Sequence, residues 1–254
     1  MALVPAAKAG MGDCNLEIGG LCAAYGRRAV LKDICLRLPA GEWFALIGPN
    51  GCGKSTMLDC IAGKLAPTGG DLRIAGHSLA TDPAGAKRQL GYACAPEKLP
   101  GLLTARQCFE VHAGAKGLSS IDAELMPLAE ELKFLPYLES FVDTLSLGTK
   151  QKLAVLLCLI GDPKLIILDE AFNGLDPASS LVLKRHLRRR LDDRGATLVL
   201  ATHALDIVEH YADHAALLID GVLAREWTKS DIAALRRDGR GFDTALAEAR
   251  PDIP

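Results

Sequence analysis

Apolar and polar residues alternate over residues 16–21 and again at Ile34, Leu36 and Leu38, the period of two expected of half-buried strands. Residues 42–47 form a compact apolar run that ends on a glycine, a further strand candidate. Over residues 55–62 the spacing becomes helical, and Gly63 stands where a helix C-terminal cap prefers glycine. A strand, a glycine-rich turn and a helix therefore follow in order. The texture changes over residues 91–160, where helices are predicted at 105–115, 122–132 and 149–160 with little strand signal. This stretch reads as a helical lobe inserted into an α/β core. The core pattern returns with a strand at 165–168, a helix at 177–191, a strand at 197–201 and a helix at 204–211, then a strand pair on either side of Asp220-Gly221. Alternation of this kind favours a largely parallel sheet. The expected divisions are a flexible N-terminal tail at 1–12, one domain at 13–229 and a short helix with a loose tail at 230–254.

Composition narrows the class. With 49% of its 254 residues hydrophobic, the chain can bury a substantial core, so one globular domain with a minor lobe is expected. A net charge of -2 removes any global electrostatic case for nucleic acid, and no nucleic-acid partner is expected. The basic run at 184–190 reads as the exposed face of a helix. The longest apolar run, residues 153–160, is less than half of the ~18 to 20 residues a bilayer span needs. Residues 1–12 lack the basic and apolar regions of a secretory signal. Eight cysteines without a C-x-x-C pair suit reduced, buried thiols in a cytosolic protein. Service to a membrane would then require docking on other chains.

Two segments carry chemistry. Gly48-Pro49-Asn50-Gly51-Cys52-Gly53-Lys54-Ser55-Thr56 fits the phosphate-binding pattern G-x-x-x-x-G-K-[ST], between a strand and a helix as that loop requires. Its glycines let successive N–H groups turn towards a phosphate, and the helix N-terminus adds partial positive charge. In this reading Lys54 spans the β- and γ-phosphates of ATP, Ser55 offers its hydroxyl to Mg²⁺, and Thr56 supports the α-phosphate. Cys52 admits two readings: a small spacer, or a thiol activated by the helix N-terminus. The second segment is the apolar strand at 165–168, which ends in Asp169 and Glu170 at the sheet edge where α/β folds hold ligands. Asp169 is expected to hold Mg²⁺, and Glu170 to orient and polarise the attacking water. Strand alternation would send these two side chains to opposite sides.

A phosphate loop and an acidic strand end also suit a kinase or a GTPase, so the discriminating residues lie elsewhere. Leu145-Ser146-Leu147-Gly148-Thr149-Lys150-Gln151-Lys152 resembles the signature segment of the ABC transporter ATPases, at the start of an apolar helix. Asn173-Gly174-Leu175-Asp176-Pro177 resembles their D-loop, and Ala201-Thr202-His203 their switch histidine. Tyr25 stands where that family places the aromatic that stacks on adenine. The resemblance runs in order over residues 16–226. It implies an α/β P-loop NTPase core with a mostly parallel sheet, an antiparallel β subdomain and an inserted α-helical subdomain.

It also implies that ATP is held between two subunits head to tail. The phosphate loop, Asp169, Glu170, His203 and Asp176 would then work with Ser146 and Gly148 of a second ATPase subunit. The expected partners are that subunit and a membrane permease, with the protein lying at the inner face of the cell membrane. Leu147 and Thr149 depart from the family's commonest signature in the manner of bacterial exporter ATPases. No glutamine stands within residues 91–97, where the family's metal-touching glutamine is expected. Register gives Ala95 and chemistry gives Glu97 as its replacement. A soluble ABC ATPase acting in assembly, on DNA or on ribosomes is the alternative.

Overall fold

The computed structural model describes residues 14–119, 125–237 and 241–249. Two long strands, β1 (Cys14–Tyr25) and β2 (Arg28–Pro39), form an antiparallel hairpin whose buried face carries Leu16, Ile18, Leu21, Ile34, Leu36 and Leu38. They share an antiparallel four-stranded sheet with β4 (Gly69–Ile74) and β5 (His77–Ser78), in the order β2-β1-β4-β5. The second sheet has six strands. It contains β3 (Trp43–Ile47), β6 (Leu90–Ala93), β7 (Leu165–Asp169), β8 (Thr197–Ala201), β9 (His214–Ile219) and β10 (Val222–Trp227). Their order is β10-β9-β3-β8-β7-β6, and every neighbouring pair except β10 with β9 is parallel.

Parallel strands are covered on both faces and therefore read as continuous apolar runs. Their alternation divides the core in two. Trp43, Ala45, Ile166, Leu168, Leu198 and Leu200 face the helices α3 (Ala105–Ala115), α4 (Leu125–Glu131), α5 (Leu147–Cys158), α6 (Pro177–Arg194) and α7 (Leu205–Tyr211). Phe44, Leu46, Leu165, Ile167 and Val199 face α1 (Lys54–Ile61), α2 (Pro83–Arg88) and the antiparallel sheet. Local signals set the helix ends. Thr104 and Gln107 close a capping box before α3. Asp176 and Pro177 start α6, and Gly195 at φ 63 ends it.

Several elements differ from the pattern-based expectation. The helical lobe is expected from residue 91, but residues 90–93 form β6 and pair in parallel with β7, from Leu90 opposite Leu165 to Ala93 opposite Leu168. The hairpin β4–β5 and the helix α2 carry too few periodic residues to announce themselves. Of the helix expected at 122–132, the described part is α4; residues 120–124 lie outside the described residues, as do 1–13 and 250–254. Where one short helix was expected after residue 230, two form: α8 (Lys229–Arg237) and α9 (Phe242–Ala249). The Phe242 ring lies 5.0 Å from that of Trp227, an apolar anchor that local periodicity cannot display. Among the described residues no helix is long and apolar enough to cross a membrane.

Candidate functional site

Strand β3 delivers the chain to the C-terminal edge of the sheet, where residues 48–53 curl before α1. Gly48 has φ 154, and a Cβ there would lie 2.3 Å from the Leu218 carbonyl oxygen, so no other residue fits without moving β9. Gly53, at φ 117, occupies the N-cap of α1 and supplies no side-chain cap, which leaves the first N–H groups of the helix available to an anion. Lys54 is buried. Its ammonium donates to the carbonyls of Gly48 (2.7 Å) and Pro49 (3.2 Å) and lies 3.4 Å from His203 Nε2.

Strand β7 brings Asp169 beside this loop, where its Oδ2 accepts from Ser55 Oγ at 3.2 Å. These are hard oxygen donors, and among the described residues no group of three or more His, Cys, Asp or Glu is placed to hold a metal ion. A hydroxyl and one carboxylate fit Mg²⁺, which keeps phosphate oxygens and waters in its octahedron rather than seeking a protein cage. The Glu170 N–H donates to the Ala201 carbonyl at 2.9 Å, and Glu170 itself adopts the left-handed φ of 49. That conformation ends the strand alternation. Asp169 and Glu170 therefore do not point to opposite sides as expected; both line the same cleft of about 210 Å³ with Asn50, Lys54, Ser55, Thr56 and His203.

Around Glu170 the polar contacts are unequal. Its Oε2 accepts from Asn173 Nδ2 at 3.1 Å and lies 3.5 Å from Thr202 Oγ1. Its Oε1 is buried without a hydrogen bond, and His203 Nε2 stands 3.5 Å away. That same His203 nitrogen is 2.9 Å from Asn50 Oδ1. One ring nitrogen carries either a proton or a lone pair, so it cannot both donate to Asn50 and accept from Lys54. Cys52 is also buried. Desolvation pushes its thiol up even though Lys54 is adjacent, which is the reverse of what an activated thiol requires.

The remaining sequence-derived residues lie around or outside this cleft. A second cleft of about 520 Å³ is lined by Ser55, Asp169 and Glu170 together with Ala95, Glu97, Leu147, Gln151 and Asn173. Both Ala95 and Glu97 thus border it, Glu97 on a single 3-10 turn at Pro96–Lys98. Ser146 caps α5 by accepting from the Thr149 N–H at 3.2 Å, and Gly148 packs against Gly174; neither lines either cleft. Leu147 between them is 59% exposed. Asp176 caps α6 through the Ser179 N–H and hydroxyl and pairs with Lys152 at 3.2 Å. Its carboxyl is held well below the usual range, first by the Ser179 hydroxyl. Tyr25 stands exposed at the tip of the β1–β2 hairpin, outside both clefts. Sequence reasoning assigned no role to Asn173, Thr202 or Gln151; the signal was present for Asn173, three residues beyond Glu170, but only folding shows the contact.

Comparison with known proteins identifies the family. The ABC transporter family model matches residues 31–173, more than half of the 254. The lantibiotic transport ATP-binding protein SrtF of Streptococcus pyogenes is 32% identical over 218 residues, covering 85% of this chain and 93% of that protein. ATP-binding cassette sub-family A member 7 of Rattus norvegicus is 33% identical over 199 residues; the match covers 77% of this chain and 9% of the relative, so the chain spans a small part of that protein. Among solved structures, an ATP-binding subunit of an ABC transporter superposes with a TM-score of 0.83 at 33% identity, over 92% of this chain and 98% of that one. The dimeric post-hydrolysis state of the cassette MJ0796 bound to ADP and Pi superposes at 0.74 with 25% identity, over 84% and 98%. The chain belongs to the ABC transporter family and is an ATPase of its ATP-binding cassette type.

Proposed function

We propose that this chain is the ATP-binding and hydrolysing subunit of an ABC transporter, that two copies clasp MgATP head to tail, and that their closure drives a separate membrane permease in the direction of export. One observation carries the dimer. The start of α1 and the start of α5 are both suited to phosphate, yet Ser146 and Gly148 share no cleft with Lys54 in one chain. A two-fold arrangement lets each copy supply what the other's cleft lacks.

In that arrangement Lys54 spans the β- and γ-phosphates, and Ser55 with Asp169 holds Mg²⁺, which when bound neutralises charge on the phosphate oxygens. Glu170 orients and polarises water through its free Oε1, while His203 contacts the γ-phosphate beside it. Ser146 and the Gly148 N–H of the second copy approach from the other side, and Tyr25 lies against the adenine. Closure can move a permease only through the difference in ATP affinity between open and closed dimers, so the permease must engage the two forms differently. Its contact surface is the helical lobe with the loop around Glu97, which places the protein at the inner face of the membrane. The export direction follows from Leu147 and Thr149 in the signature segment.

The test uses two variants of the full chain. Glu170→Gln is expected to bind ATP and accumulate as a dimer in sedimentation velocity, with hydrolysis nearly abolished. Lys54→Ala is expected to lose most of its nucleotide affinity. A Glu170→Gln protein that stays monomeric at saturating MgATP removes the dimer from the proposal, and wild-type hydrolysis by it removes the role of Glu170.

A further inference from the structure

The structure assigns Asn173 as the positioning residue for Glu170: its amide takes one carboxylate oxygen and leaves the other as the oxygen presented to water. The inference rests on the reading of Glu170 as the water-polarising group. An ionised carboxylate only accepts hydrogen bonds, so an amide 3.1 Å from Oε2 must turn its NH₂ group to it. The Thr202 hydroxyl accepts the Ala204 N–H at 3.0 Å and donates to the same Oε2, at the longer distance of 3.5 Å. Asn173 is therefore the closer and better-formed restraint.

The backbone holds this pair in register. The Asn173 N–H donates to the Glu170 carbonyl at 3.0 Å, closing a tight turn, and left-handed residues stand at both ends, Glu170 at φ 49 and Gly174 at φ 79. A carboxylate that turns about its last bond exchanges its two oxygens. With the amide bound to one of them, the two are no longer equivalent. Oε1 is left buried, without a hydrogen bond and 3.5 Å from His203 Nε2, so the lone pairs that can accept from a water belong to that atom. Asn173 itself is exposed and fills no core space, so replacing it opens no cavity.

The experiment compares steady-state ATP hydrolysis by the full chain carrying Asn173→Ala, Asn173→Asp or Asn173→Gln, with Glu170→Gln as reference. Asp matches Asn in shape but cannot donate and repels Glu170, whereas Gln keeps the donor. Asn173→Ala is expected to lower kcat about tenfold, the usual consequence of losing a hydrogen bond to a charged group. Asn173→Asp should lose at least as much, and Asn173→Gln should return to within about threefold of wild type. The KM for ATP should stay within about twofold throughout, and Tm within about 2 °C. Wild-type kcat in the Ala or Asp variant, with Glu170→Gln inactive, overturns the role of Asn173 alone. Equal losses in the Gln and Asp variants do the same, because they make the effect steric. Undiminished hydrolysis by Glu170→Gln overturns the underlying reading of Glu170 as well.

Discussion

Gly148→Ala tests whether the start of α5 works on a nucleotide held by another copy. The added Cβ would lie 2.8 Å from the Gly174 carbonyl oxygen, backbone that cannot rotate away as a side chain does. Ordinary contact between such atoms needs about 3.4 Å, so α5 or the loop must shift by roughly half an ångström. Overpacking of this kind costs about 1–3 kcal/mol. For a domain of this size that is a fall in Tm of roughly 2–12 °C. Turnover should suffer far more than stability. The proposed dimer places the Gly148 N–H against the γ-phosphate on the second copy, and displacements of about 1 Å at a reacting group can cost ~10²-fold in rate. The residues that bind nucleotide in the same chain are untouched, so ATP affinity measured by isothermal titration should stay within about twofold. Thermal melts, titration and hydrolysis assays on one preparation separate these effects. A fall in Tm with wild-type turnover refutes the reasoning, and so does an affinity loss that matches the loss in rate.

Two further predictions concern titrating groups. Cys52 should resist iodoacetamide at neutral pH while the exposed Cys35 reacts, and Cys52→Ser should keep turnover within about twofold, because burial pushes the Cys52 thiol up. ATP-protected inactivation at neutral pH that disappears in Cys52→Ser would contradict this. Asp213 accepts from the Trp43 N–H, Arg188 and Lys229; burial would raise its carboxyl, but these partners outweigh it and hold it below its ordinary value. A depressed folded pKa means that its stabilisation is complete above the unfolded carboxylate's value, about 3.9, and is lost as the pH falls through the lower folded value. Asp213→Asn should therefore cost about 2 kcal/mol at pH 7 and flatten the acid limb of the stability curve measured by urea titration. An unchanged acid limb would remove Asp213 as its source.

How much of this was legible depended on the kind of signal each element leaves. The phosphate loop was readable because glycine positions, a lysine and a flanking strand and helix are all local requirements, and the fold needed nothing distant to produce the turn. The buried strands at 165–169 and 197–201 were readable because both their faces are covered, which demands uninterrupted apolar residues. Strand β6 was not. It has only four residues, two of them Gly91 and Ala93, and owes its extended form to pairing with β7 some seventy residues later. The C-terminal helices were under-read for a related reason: Phe242 declares itself only against Trp227.

The sequence by itself showed the phosphate-binding loop and the carboxylates at the end of β7, because each is a composition of residues within a dozen positions, and it pointed to the family through several such short segments in order along the chain. Only the tertiary structure decided that Glu170 leaves the strand in a left-handed conformation, that it shares a cleft with Asp169, and that His203 meets Asn50 and Lys54 across the sheet edge. It also decided that Ser146 and Gly148 stand away from that cleft. The physical reason is that residues 50, 54, 170 and 203 are brought together by parallel pairing of β3, β7 and β8, and such pairing depends on long-range burial that no local pattern records.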